Sequence, residues 1–379
     1  MTLKTICLIL SIVVLFFIFY KHSNFGQNHQ FEPFSPDTAE EDDTNCSADF
    51  SKSVDLPLKE YCVKSSFNSA YDGSDVSKET ILERIKEGYR FLDFNVFSAS
   101  GDIYVGFSPD NAPNLMSNKL LLGDALQCIN DNAFSSATTF NGKLSKVESC
   151  PMFVHIRIYR KPGSIIDIVS NVANIINGSE KSGPPAYTSN YLRDSDKTPT
   201  KINGCTTLSK LSRKLIFSMD ILNVLEIYAP PNYQSSATLP PETIKTMQSF
   251  VNVLSGGSTF PAFYRYTDDS LIYRTNTLGI GNSSMKGSLQ TNVKHMYISF
   301  PHPDDLPKTQ NPKFTGVVQP DIASFLLSRS IQFTPLRVYL ADTNLNTYIK
   351  IFDTVGTPFA PMFYVYRHLL GETAAANKE

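Results

Sequence analysis

The chain has 379 residues, with 34 Lys and Arg against 36 Asp and Glu and a net charge of −2 at pH 7. This near-balance excludes a protein that binds nucleic acid through bulk positive charge, and we expect no nucleic-acid partner. At 41% hydrophobic and 12% aromatic residues the chain is too apolar to be disordered, and six cysteines are too few for a scaffold built on disulfides.

The first 22 residues contain an uncharged apolar run, residues 5–20, between Lys4 and Lys21. As a helix this run rises about 24 Å, somewhat less than a bilayer core of about 30 Å, and snorkelling lysines can close the gap. No small-residue cleavage site follows it, which favours an uncleaved, single-pass membrane anchor over residues 1–22. A cleaved signal peptide is the alternative. The flanking positive charges are nearly matched, so the side of the membrane stays open.

Three further segments follow the anchor. Residues 23–55 carry few large apolar residues and an acidic run at residues 40–43, which predicts an acidic flexible linker. Residues 56–370 are predicted to form the folded body, and residues 371–379 a disordered tail.

The body alternates strand and helix patterns. The predicted strands lie at residues 91–97, 103–105, 152–158, 215–219, 262–266, 296–300 and 336–340. The predicted helices lie at residues 120–133, 164–176, 241–254, 321–328 and 345–355. This alternation is typical of an α/β protein with a parallel sheet covered by helices, either open or closed.

Polar side chains recur at every second position of several predicted strands: Asp93 and Asn95, His155 and Arg157, and Ser218 and Asp220. The positions between them are apolar. A strand of a doubly wound sheet is usually apolar on both faces, so the pattern favours a (β/α)8 barrel with polar residues near its active-site end. The alternative is a buried polar network without chemistry.

Three sequence blocks then carry a resemblance. They read SSFNSA at residues 65–70, GYRFLDFNVF at residues 88–97 and YVGFS at residues 104–108. In order and spacing they resemble the S-S-H-N-T-Y, G-x-R-x-x-E-x-D-x-W and Y-H-G-x-T blocks of the X region of phosphatidylinositol-specific phospholipases C, over roughly residues 56–225. Residues 332–362 resemble the last unit of some PLC-X-like proteins encoded by large DNA viruses. The resemblance implies a distorted (β/α)8 TIM barrel of the PLC-like phosphodiesterase type, preceded here by an N-terminal transmembrane helix.

The resemblance also implies two catalytic histidines, which this chain lacks. One family histidine takes the proton from the inositol 2-hydroxyl and the other protonates the leaving alcohol. Phe67 stands at the first position and Val105 at the second. Neither side chain can transfer a proton, and each lost proton transfer typically costs about 10²–10⁴-fold in rate.

The Ca²⁺ ligands that the resemblance implies are changed as well. Eukaryotic relatives use an Asn, two Glu and an Asp, where this chain has Asn68, Asp93, Arg157 and Asn95. We therefore expect no metal and no cofactor, and we expect Asp93 to pair directly with Arg157. Asn68, Asp93 and Arg157 are the candidate substrate-binding residues, and His155, on a central predicted strand, is a candidate replacement base.

The functional prediction is a membrane-anchored PLC-X-like barrel that lacks phosphodiesterase activity and acts as a structural or interaction module, with a protein or a lipid head group as partner. The alternative is a phosphoric diester hydrolase, acting on phosphoinositide or another phosphodiester with relocated groups such as His155. A third possibility is a barrel that binds a head group without cleaving it.

Overall fold

The computed structural model describes residues 55–107, 119–135, 139–140, 143–144, 146–158, 165–178, 190–220, 241–256, 260, 262–263, 296–301, 319–329 and 331–376. The predicted anchor at residues 1–22 and the linker up to residue 54 lie outside these residues. Among the residues described, no helix combines the length and the apolar character that crossing a bilayer requires.

The strands are β1 (Tyr61–Val63), β2 (Ser65–Ser66), β3 (Phe91–Ala99), β4 (Asp102–Val105), β5 (Leu120–Leu121), β6 (Thr139–Phe140), β7 (Lys143–Leu144), β8 (Met152–Ile158), β9 (Leu215–Asp220), β10 (Val253–Ser255), β11 (Ala262–Phe263), β12 (Ile298–Ser299) and β13 (Phe359–Pro361). The helices are α1 (Lys78–Lys86), α2 (Leu122–Asn132), α3 (Ile165–Asn177), α4 (Pro241–Gln248), α5 (Ile322–Arg329), α6 (Thr343–Val355) and α7 (Met362–Ala376).

The main sheet is an arc of parallel strands. Parallel pairing runs from β10 through β9, β8 and β3 to β2. Single parallel bridges continue the arc, because Ser66 pairs with Leu336 and Phe333 pairs with Ile298 of β12, which lies beside β11. This order supplies eight parallel segments, as a (β/α)8 barrel requires. Within the described residues no ladder joins β10 to β11, so the arc is not closed.

The strand predicted at residues 103–105 belongs to a hairpin rather than to the arc. Its residues lie in β4, which runs antiparallel to β3 and pairs Ala99 with Asp102 across a two-residue turn. Ser100 and Gly101 have φ angles of 54° and 90°. Two central residues with positive φ give a turn whose twist matches that of the flanking strands.

Two hydrophobic layers share the same strands. Leu92 and Val154 pack in the layer between the arc and the helices, whereas Phe91 and Phe153 pack inside the arc. At the amino-terminal end of the strands, five rings form what we name the aromatic layer: Tyr61, Phe91, Phe153, Phe333 and Phe359. Their centroid separations of 5.0–6.4 Å lie in the usual range of aromatic pairs.

Two predicted elements are corrected. The helix predicted at residues 241–254 ends at Gln248, and β10 follows it. The reason is Asn252, whose Oδ1 accepts from the Phe217 amide at 2.8 Å and whose Nδ2 donates to the Leu192 carbonyl at 2.8 Å, so that its side chain ties this segment to β9.

The strand predicted at residues 336–340 forms instead as bridges at Phe333 and Leu336. Pro335, between them, has no N–H to donate to a ladder. Beyond it, the Arg337 amide donates to the side chain of Gln319 at 3.0 Å, and the Leu340 amide closes a turn onto the Arg337 carbonyl at 3.0 Å.

The two ends of the described body lie side by side. β1 pairs antiparallel with β13, with Tyr61 opposite Pro361 and Val63 opposite Phe359. Helix α7 then continues to Ala376, so residues 371–376 are helical where a disordered tail was predicted. The run of alanines at residues 374–376 explains the difference, because alanine is the strongest helix former.

Candidate functional site

Two neighbouring strands bring the candidate residues together. In the parallel register of β3 and β8, Asp93 lies opposite His155 and Asn95 lies opposite Arg157. All four are at most 9% exposed. Asp93 and Asn95 follow Phe91, and His155 and Arg157 follow Phe153, at alternate positions, so all four lie inside the arc toward the carboxyl ends of the strands.

Asp93 and Arg157 form a bidentate ion pair. The Arg157 Nε atom donates to Asp93 Oδ1 at 2.7 Å, and Arg157 Nη2 donates to Asp93 Oδ2 at 2.6 Å. Burial by itself raises the pKa of Asp93, but the charge of Arg157 and the hydrogen bonds from His155 and Arg157 outweigh it and lower that pKa to about 2. The direct pairing predicted from the sequence is confirmed.

Asn68 forms hydrogen bonds with both members of this ion pair. Its Oδ1 accepts from Arg157 Nη2 at 3.0 Å and from Asn95 Nδ2 at 3.1 Å, while its backbone amide donates to Asp93 Oδ2 at 3.1 Å. Its φ of 47° places it in the left-handed region, which asparagine tolerates better than most residues. The turn after β2 therefore aims both the amide and the side chain of Asn68 at the ion pair.

Phe67 covers the guanidinium. The Arg157 Cζ atom lies 4.4 Å from the centroid of the Phe67 ring and 5.2 Å from that of Phe300. A guanidinium at this distance is stabilised by the electron density of the ring face. Phe67 is itself buried and meets the ring of Phe107 edge-on at 6.5 Å. Phe67, which the resemblance sets at the first histidine position, thus covers an internal cation.

His155 joins the ion pair to a serine. Its Nδ1 lies 2.9 Å from Asp93 Oδ1 and its Nε2 lies 2.8 Å from Ser255 Oγ on β10. Because ionised Asp93 only accepts, the hydrogen-bond network assigns the proton to Nδ1, and Nε2 accepts from Ser255. The ring also lies between Phe91 and Phe300, at centroid distances of 5.3 and 5.1 Å.

Ser255, His155 and Asp93 follow the order of a serine–histidine–acid relay. All three are fully buried, so no solvent reaches Ser255 Oγ. The amide after the serine, that of Gly256, donates to the Phe260 carbonyl at 2.8 Å and does not point at an oxyanion position. The relay satisfies its own hydrogen bonds inside the arc.

The residues do not fit the Ca²⁺ ion that the resemblance implies. Such an ion takes six to eight oxygen ligands. Here both carboxylate oxygens of Asp93 and the Oδ1 of Asn68 already accept from Arg157. Across the described ranges, no three His, Cys, Asp or Glu side chains come together as a metal cluster would require.

Val105 lies apart from this network. It pairs with Val96 in the hairpin and packs in the layer between the arc and the helices, whereas Phe67 packs inside the arc. The structure thus brings Phe67, Asn68, Asp93, His155 and Arg157 together and leaves Val105 in the hairpin.

Sequence reasoning missed Ser255 and Phe300. Ser255 was hidden because β10 is only three residues long and was read as the end of a helix. The signal for Phe300 was present, since Met296, Ile298 and Phe300 alternate in the predicted strand and all three are buried inside the arc.

No protein-family model matches the sequence, and no curated protein matches it. Among solved structures, the chain is similar to PLC21 from L. pealei, with a TM-score of 0.51 and 13% identity over 82% of this chain and 38% of that one. It is also similar to PLC21 from S. officinalis (TM-score 0.49, 13% identity, 81% and 37%). A third similar structure is a Ca²⁺-dependent phosphatidylinositol-specific phospholipase C from Streptomyces antibioticus (TM-score 0.37, 12% identity, 75% and 95%).

The chain spans less than two fifths of the length of the two PLC21 chains. At 13% identity, the likeness to L. pealei PLC21 shows the fold alone. That fold is an α/β fold of the phospholipase C type, as the resemblance implied.

Proposed function

We propose that this chain is a membrane-anchored barrel of the phospholipase C type that does not cleave phosphodiesters at this site and that acts as a structural or interaction module. One observation carries the proposal: the guanidinium of Arg157 binds the oxygens of Asp93 and Asn68 that the resemblance assigns to a metal. The centre of the site is therefore filled by the protein itself.

The proton chemistry supports the same conclusion. Cleavage with the inositol 2-hydroxyl as nucleophile needs a base on one side of the phosphodiester and an acid on the other. The first position holds Phe67, which packs on the guanidinium, and the second holds Val105, which packs in the hairpin. Neither position offers a titratable atom.

Electrostatics give a phosphate little to bind. The charge of Arg157 is compensated by Asp93 in a bidentate pair, and the guanidinium is covered by Phe67. A module of this kind fits a protein partner at its surface better than a diester in its interior.

The test is an assay of the full chain on phosphatidylinositol vesicles, with and without Ca²⁺, beside the Asp93→Asn variant. We expect no turnover in either protein and no change in the melting temperature on adding Ca²⁺. Ca²⁺-dependent turnover that is lost in Asp93→Asn would overturn the proposal.

A second candidate is a phosphoric diester hydrolase with relocated groups, and the Ser255–His155–Asp93 relay is the observation that favours it. His155 would be the base. The matched control for His155→Ala is Ser218→Ala, because Ser218 of β9 lies opposite His155 of β8 and is equally buried. Turnover that disappears in His155→Ala and persists in Ser218→Ala would favour this candidate over the first.

A further inference from the structure

Helix α7 has two apolar faces. One face packs into the core with Met362, Val365 and Leu369. The other carries Phe363 and Leu370, which are 44% and 51% exposed and are the two most exposed large hydrophobic side chains among the described residues. These two lie seven positions apart, so they share one side of the helix.

A cation and a second ring accompany this face. Arg367 is exposed and lies four positions after Phe363, on the same side of the helix. The Tyr364 ring lies 4.0 Å from that of Phe363. Phenylalanine, leucine and tyrosine with an arginine among them are the side chains of a helix that lies in a membrane interface, where rings enter the head-group region and the cation meets lipid phosphates.

The position of α7 relates this face to the predicted anchor. β13 ends at Pro361, opposite Tyr61, and α7 begins at the next residue. Tyr61 lies six residues after the end of the predicted linker at residue 55. The described chain begins at Asp55 against residues 204–209 and then passes, at Tyr61, beside the residue that precedes α7.

The predicted linker sets how far the body can move from the bilayer. A flexible chain of the length of residues 23–55 has a root-mean-square span of about 30 Å. Tethering at this distance gives an effective concentration of the order of millimolar, so a contact of two apolar side chains and one cation is populated although it would be weak for a free protein.

We propose that the exposed face of α7, with Phe363, Arg367 and Leu370, rests on the surface of the bilayer that holds the anchor. This inference rests on the anchor in the proposed function.

The chain contains no tryptophan, so each single Trp variant carries one fluorophore. Full-length Phe363→Trp and Leu370→Trp are reconstituted into phosphatidylcholine–phosphatidylserine vesicles that contain brominated lipid. The matched control is Ile166→Trp, which is 40% exposed but lies on another helix, in the first turn of α3. All three positions are exposed, so the substitutions leave the core intact.

We expect bromolipid to quench Phe363→Trp and Leu370→Trp roughly two- to threefold more than Ile166→Trp, because an interfacial helix buries its apolar face about 5–10 Å deep. Equal, weak quenching of all three would overturn the proposal. Emission from Phe363→Trp that is shielded from acrylamide but not quenched by bromolipid would also overturn it, because another protein surface would then cover the face.

Carbonate extraction of the same vesicles separates this inference from the proposed function. A chain that resists extraction while Phe363→Trp stays unquenched has an anchor and lacks the α7 contact. A chain that carbonate releases lacks the anchor, and both proposals then fail on that point.

Discussion

Two rings of the aromatic layer, Phe91 and Phe153, lie on the same two strands as the Asp93–Arg157 pair, and the rings and the ion pair stabilise the arc by different means. On β8, Phe153 stacks among rings, and Arg157 is fixed by a carboxylate and an amide oxygen. Shortening the Phe153 side chain removes only apolar contacts. Removing the carboxylate of Asp93 leaves the guanidinium of Arg157 buried without a compensating charge. Substitutions inside the arc should therefore lower the free energy of unfolding less at the amino-terminal end of the strands than toward their carboxyl ends.

The largest difference should come from breaking the ion pair. Asp93→Leu leaves a buried guanidinium without its carboxylate, and we expect it to lower the free energy of unfolding by about 3–5 kcal/mol. Phe153→Leu, two strand positions before His155, should cost about 1–2 kcal/mol because a smaller apolar side chain remains. Urea denaturation measures both.

The double variant Asp93→Leu/Arg157→Met sharpens this comparison. It replaces both charges with apolar groups, and we expect it to recover most of the stability that Asp93→Leu loses. A double variant as unstable as the single one would show that shape, rather than charge, decides this position.

Acid should separate the two regions next. The folded-state pKa of Asp93 is lowered from 3.8 to about 2, so its contribution is fully present above about pH 4 and is lost as the pH falls toward 2. The contribution corresponds to about 2 kcal/mol. In urea titrations between pH 6 and pH 2, Phe153→Leu should keep this loss and Asp93→Leu/Arg157→Met should lack it. Equal slopes in the two variants would contradict the assignment to Asp93.

A smaller effect should distinguish two buried serines. Ser255→Ala removes the donor to His155 Nε2, and we expect a loss of about 1 kcal/mol. Ser218 is equally buried, and among the described residues its Oγ has no hydrogen-bond partner. Ser218→Ala should therefore be neutral or slightly stabilising. Equal losses in urea denaturation would show that the relay contributes nothing beyond packing.

The smallest effect concerns the cover on the cation. Phe67→Leu keeps an apolar side chain but removes the ring face over Arg157, which should cost about 0.5–1 kcal/mol beyond the loss of packing. Phe107→Leu is the matched control, since it removes a neighbouring ring while the guanidinium stacks on Phe67 and Phe300. Indistinguishable midpoints of urea denaturation for the two variants would argue against the cation–π contribution.

The polar face of the site could be predicted from the sequence on the long strands, where polar and apolar residues alternate. The resemblance predicted that Asp93 and Arg157 pair, because it assigns both positions to one metal site. The period of two along β3 and β8 predicted only that each of them lies on a polar strand face. Ser255 could not be predicted, because in β10 a single asparagine side chain, that of Asn252, rather than any periodicity, makes the strand.

The fold followed the same rule. The alternation of strands and helices indicated the α/β class, because each pattern repeats over several turns or strand positions. The parallel segment predicted at residues 336–340 was misplaced because its pairing rests on three single bridges, at Phe333 and Leu336 on either side of Pro335. Contacts made by single residues with distant partners leave no local pattern to read.

The pairing of β1 with β13 bears on the order in which this protein can be completed. Tyr61 and Pro361 are 300 positions apart, 361 minus 61, and yet they are direct partners in one ladder. At a synthesis rate of about 5–20 residues per second, the first strand waits roughly 15–60 s for its counterpart to leave the ribosome. During that interval β1 lacks its partner strand β13, so molecular chaperones would be needed to shield the exposed strand while translation is under way.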